Sequence, residues 1–161
     1  MKELIYTLLI IIALTNNSLS AGTASDSSDS SSNYTKAKNL IKAAKKYEKK
    51  GKIEKAQKKY AKAQTLLIKS NEKKPLQADT LNYLGFTTRK LGDYEKSEKF
   101  YLLGLQVEPN HNGINEYLGE LYVATNRMDM AKERLEVLKT CNCEEYVELK
   151  EIIDGTKKSK Y

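Results

Sequence analysis

Residues 78–110 read ADTLNYLGFTTRKLGDYEKSEKFYLLGLQVEPN, and this stretch decides the fold. Apolar residues recur at helical spacing on both sides of Gly92-Asp93-Tyr94, which predicts a helix, a tight turn and a second helix. Gly92 stands where a left-handed residue ends a helix at least steric cost. Glu108-Pro109-Asn110 ends the second helix, because the residue before proline disfavours the helical conformation.

The same pattern returns 34 residues downstream. Asn126-Arg127-Met128-Asp129-Met130-Ala131 matches the segment from Gly92 to Ser97, Leu118-Gly119 matches Leu84-Gly85, and Leu135 and Leu138 match Tyr101 and Gly104. A third copy lies upstream at an offset of 41, where Gly51-Lys52-Ile53-Glu54-Lys55-Ala56 matches the same turn and Ala43-Ala44, Tyr60 and Ala63 match Leu84-Gly85, Tyr101 and Gly104. Leu40, Ile41, Ala44 and Tyr47, then Ile53, Ala56, Tyr60, Ala63 and Leu67, supply its two apolar stripes. The extra seven residues, 71–77, are nearly two helical turns and slip an apolar face by only about 20°, so a lengthened helix pair can absorb them. Pro75 is expected to open the next helix, and Asn110 or Asn112 to cap the one after it. Small residues at Gly85, Gly119, Ala56, Ser97 and Ala131 mark places where helices approach closely.

Leu-Gly in the first helix, Gly-Asp-Tyr at the turn, a small residue three further on, then an aromatic, and Pro near the end resemble the tetratricopeptide repeat. The resemblance implies an all-α solenoid of three helix-turn-helix repeats at 37–70, 78–111 and 112–143, capped by a helix at 144–154, in one domain over 36–158. The first copy lacks Leu-Gly and the terminal Pro, as suits a terminal repeat whose outer face meets water. Cys141-Asn142-Cys143-Glu144-Glu145-Tyr146 with Leu149 resembles the ends of secreted or periplasmic alphaproteobacterial members. Such a stack implies a non-catalytic adaptor or assembly factor that binds a peptide or protein in its concave groove. The groove positions are Ile41, Lys45 and Lys49; Asn82, Phe86, Arg89 and Lys90; and Glu116 and Glu120. Phe86 and Arg89 are the expected anchors, because aromatic and Arg side chains carry most interface energy.

Leu4 to Leu14, LIYTLLIIIAL, is a run of eleven residues that would span only about 16 Å as a helix, too short to cross a bilayer. Followed by small residues at Ser18, Ser20 and Ala21, it predicts a signal peptide over 1–21, cleaved near Ser20 or Ala21, and a periplasmic or secreted protein. An uncleaved anchor is the alternative. Residues 22–35, rich in Ser, are expected to form a disordered tether.

The net charge of +7 is local. Residues 36–74 carry 15 Lys and 3 Glu, while the segments on either side are slightly acidic. Lys42, Lys46, Lys49, Lys55, Lys58, Lys59 and Lys62 form the expected basic patch. Its alternative function is docking to an anionic surface such as lipid headgroups or lipopolysaccharide. A solvated face in a lysine-rich sequence is the other reading of it, and nucleic acid ranks below both, since 25 Lys against 3 Arg suits bidentate recognition poorly. One histidine and two cysteines leave little for catalysis, and neither a cofactor nor a metal is expected. Cys141 and Cys143 predict a disulfide in an exported protein, with thiol redox chemistry the least favoured function.

Overall fold

The structure is a computed structural model that describes residues 24–159 of the 161-residue chain. The signal assignment over residues 1–21 lies outside the described residues. Seven helices follow one another among them: α1 (Ala24–Lys49), α2 (Ile53–Lys73), α3 (Ala78–Lys90), α4 (Tyr94–Val107), α5 (Asn112–Ala124), α6 (Met128–Leu138) and α7 (Glu144–Ile153). They pair as α1/α2, α3/α4 and α5/α6, each pair stacks on the next, and α7 closes the stack against α5 and α6.

The three turns within the pairs share one hydrogen-bond pattern. Gly51, Gly92 and Asn126 all have positive φ, at 66°, 95° and 59°. The following amide reaches back to the last turn of the helix: Lys52 N to Tyr47 O at 2.9 Å, Asp93 N to Thr88 O at 3.1 Å and Arg127 N to Tyr122 O at 2.8 Å. This is the Schellman closure, which satisfies carbonyls that a helix end would otherwise leave unpaired. Asp93 then caps α4 by accepting from Lys96 N at 3.0 Å.

Within the second pair, the ring of Tyr101 lies against Gly85, where a Cβ would sit 2.4 Å from Cε1. Buried Ser97 donates to Gly85 O at 2.7 Å and locks the same crossing. Gly119 plays the corresponding part toward the cap, where a Cβ would meet Leu149 of α7 at 2.5 Å. The core runs the length of the stack as two clusters, one around Ile41, Ala44, Tyr60, Leu67, Leu81 and Leu84, the other around Tyr101, Ile114, Leu118, Leu121 and Ala131.

Three expectations need correction. The Ser-rich stretch is not a tether over its described part, because α1 includes residues 24–35. Ser30 and Asn33 are buried; the Ser30 hydroxyl bonds Ser70 O at 3.2 Å, the Ser70 hydroxyl bonds Ser30 O at 3.1 Å, and Asp29 pairs with Lys73 at 3.5 Å. The seven extra residues explain this, since they lengthen α2 to Lys73 and give the added turns of α1 a helix to lie against. Pro75 does not open a helix; it sits in the turn before α3, next to Leu76 at φ 57°. His111, rather than an asparagine, caps α5: its Nδ1 accepts from Ile114 N at 3.2 Å, and Nε2 faces Asp79 Oδ1 at 3.3 Å.

Candidate peptide-binding groove

The first helices of the three pairs, α1, α3 and α5, lie side by side on one face. Between them opens a cleft of about 660 Å³, lined by Lys42, Lys45, Lys46, Glu48 and Lys49 of α1, Ile53 at the start of α2, Phe86 of α3 and Tyr117 of α5. Phe86 and Tyr117 pack at a tilt of 40° with ring centroids 5.2 Å apart, and Tyr60 extends the row edge-on at 5.8 Å from Phe86. Lys45 Nζ lies 4.6 Å from the Phe86 centroid and 5.7 Å from that of Tyr117, and reaches the Tyr117 hydroxyl at 3.4 Å. Both rings thus hold an ammonium over their electron-rich faces. Ile53, 52% exposed, forms an apolar lip.

Glu48 is the one acid in this lining and is already engaged. Lys90 Nζ lies 2.7 Å from one of its oxygens, and the Tyr60 hydroxyl donates to the other at 2.7 Å. Burial and this hydrogen bond push the Tyr60 phenol above its ordinary pKa; burial and then the charge of Glu116 do the same to Tyr117. Both stay neutral well past physiological pH. Lys42, Lys46 and Lys49 remain exposed at the rim with no carboxylate partner among the described residues. The cleft therefore offers an apolar, aromatic floor under a positively charged edge.

Only part of the predicted groove lines this cleft. Lys45, Lys49 and Phe86 do, Phe86 from beneath, since its side chain is only 1% exposed under Lys45. Ile41, Asn82, Arg89, Glu116 and Glu120 are buried between neighbouring helices, and Lys90 is nearly so as it reaches Glu48. Arg89 is no surface anchor: its Nη1 donates to Tyr117 O at 2.8 Å and its Nη2 meets Glu120 at 3.1 Å, with the two side chains 0% and 1% exposed. Sequence reasoning missed Ile53, which it assigned to an apolar stripe, together with Glu48 and Tyr117. Their helical spacing gives no sign that they border an opening rather than fill one.

The predicted basic patch divides in two. Lys42, Lys46 and Lys49 face the cleft, whereas Lys55, Lys58, Lys59 and Lys62 gather with Tyr47 on a separate depression. Deeper in the stack, carboxylate oxygens of Glu116, Glu120 and Glu148 come within 4.8 Å of one another, a grouping that could in principle hold a cation. Arg89 on Glu120 and Lys157 on Glu148, at 2.8 Å, bring positive charge to it, so the grouping reads as an internal ion cluster. Cys141 and Cys143 form a disulfide in the turn between α6 and α7, as the sequence predicts.

Three stacked helix pairs with identical turn closures and a capping helix define a helical-repeat protein with an open inner face. Solved structures that share this architecture include tetratricopeptide-repeat domains, and the chain has the tetratricopeptide-repeat fold. The first such domain of Spaghetti (RPAP3), bound to the HSP90 peptide SRMEEVD, is similar over 76% of this chain and 94% of its own, at 21% identity and a TM-score of 0.53. The second domain of human RPAP3, in complex with the HSP70 peptide SGPTIEEVD, matches over 78% and 98% at 16% identity and a TM-score of 0.55. The type III secretion chaperone SycD of Yersinia enterocolitica, in complex with a peptide of the translocator YopD, matches over 73% and 86% at 16% identity and a TM-score of 0.53. No family model matches the chain, and neither does any curated protein.

Proposed function

We propose that the protein is a non-catalytic interaction module whose α1–α3–α5 cleft binds a peptide segment carrying one large apolar side chain beside acidic residues. One observation carries this reading: the Phe86–Tyr117 floor lies under the rim of Lys42, Lys46 and Lys49. An apolar side chain on that floor gains about 25 cal/mol for each Å² of surface it removes from water, and neighbouring acids meet the lysines without disturbing Glu48. That similar folds hold the acidic peptides SRMEEVD and SGPTIEEVD supports it. Together with the signal-like segment at residues 4–21, the reading is of an adaptor or assembly factor outside the cytoplasm, in the periplasm or secreted.

Selection of random displayed nonapeptides on the intact chain tests the cleft. Enriched sequences are expected to hold at least two acids near a Leu, Ile, Met or Phe. They should bind the K42E/K46E/K49E variant at least tenfold more weakly, on the order of 0.5 kcal/mol or more for each reversed charge. Enrichment of neutral or basic peptides, or equal binding to that variant, would overturn the assignment.

A further inference from the structure

The second lysine cluster lies on a depression that shares no lining residue with the cleft. Lys55, Lys58, Lys59 and Lys62 of α2 line a shallow depression of about 290 Å³ with the half-buried Tyr47 of α1. Spacings of three and four residues put these lysines together, on the side of α2 away from its buried stripe of Ala56, Tyr60, Ala63 and Leu67. Like charges so spaced repel and weaken the helix. Nothing inside the molecule relieves them: none of the four has a carboxylate partner among the described residues, although Lys73 and Lys90 on the same pair and its neighbour do.

We propose that this end of the stack docks on a bilayer of anionic phospholipid. The four ammonium groups are spread over two turns of helix, about 10 Å, rather than converging on one point. A headgroup layer, with many phosphates at no fixed spacing, suits that spread better than a single bound ion. Nucleic acid is the poorer match, because the guanidinium fork that reads phosphates and bases is absent from this end. All three arginines lie in α3, α6 and the turn before α6, held by Glu120, Glu98 and Glu133. Lysine stems and a tyrosine ring also tolerate the boundary between headgroups and water, with their polar tips outward.

Co-sedimentation of the full chain with phosphatidylcholine vesicles, with and without phosphatidylglycerol, tests the docking. The wild type is expected to favour the anionic vesicles, and the preference should collapse as salt shortens the screening length from about 10 Å at 0.1 M to about 3 Å at 1 M. The K55Q/K58Q/K62Q variant should lose about fivefold in partition for each lysine, on the order of a hundredfold in all. K99Q/K132Q, changed at exposed lysines of α4 and α6, should bind like the wild type. The run at residues 4–14 is uncharged and common to every variant, so it cannot produce these differences. Equal uptake by neutral vesicles, no loss in the triple variant, or tighter binding to a labelled oligonucleotide than to anionic vesicles would each overturn the proposal. The peptide selection is independent of it, since the two lysine groups share no residue.

Discussion

The first helix pair and the two that follow are built on the same turn and treat charge in opposite ways. In α3–α6 every arginine is held by an acid, Arg89 by Glu120 in the interior, Arg127 by both oxygens of Glu98 at 2.8 Å, and Arg134 by Glu133 at 3.8 Å. In α1 and α2 most lysines stand in solvent, in one group around the cleft and another at the end of the stack. At Arg89 and Arg127 charge thus fastens repeat to repeat in the later pairs, whereas in the first pair, apart from Asp29–Lys73 and Glu48–Lys90, it is turned outward, toward whatever the molecule meets. The cost of removing a charge should differ accordingly.

Arg89→Ala is the sharpest way to test that difference. It strips the buried Glu120 of its guanidinium, and urea denaturation should show a loss of about 3–5 kcal/mol, the usual consequence of breaking a buried ion pair from one side. A loss below 1 kcal/mol would show that this ion pair does not hold the stack. Next in size is Gly85→Ala, whose methyl would press on the Tyr101 ring; overpacking of this kind costs about 1–3 kcal/mol. The equivalent position in the first pair is Ala44, fully buried, and there the reverse change, Ala44→Gly, should cost about 1–2 kcal/mol, from helix propensity and the loss of one buried methyl. Thermal melts of the two variants compare the crossings directly. The smallest effect belongs to K55Q/K58Q/K62Q, whose stability should stay within about 0.5 kcal/mol of the wild type or rise slightly as repulsion is relieved. A cooperative loss there would mean that these lysines fasten the fold after all.

Much of the architecture was legible because the turn chemistry repeats. Gly51, Gly92 and Asn126 can be found by their register alone, and each takes the positive φ that the register implies. The start of α1 was not legible. Ser, Asp and Asn are weak helix formers, and what holds that segment is a tertiary partner, the lengthened end of α2, about 40 residues away in sequence. The inner-face residues were only half legible for a related reason. Helical spacing places Ile41, Asn82, Arg89, Glu116 and Glu120 on the correct side of their own helices, but whether the adjacent helix covers them depends on how the pairs nest. The division of the lysines between two surfaces follows from their place on two helices, Lys42, Lys46 and Lys49 on α1 and Lys55, Lys58, Lys59 and Lys62 on α2.

The row Tyr60–Phe86–Tyr117–Tyr101 has a practical consequence, because the chain contains no tryptophan. Its near-ultraviolet emission comes from tyrosine alone, and Tyr117, with an ammonium beside its hydroxyl, lies in the floor of the cleft. Any occupant that displaces Lys45 changes the surroundings of that phenol. The molecule carries its own optical reporter, so a peptide without aromatic residues can be titrated against it with no label attached to either partner.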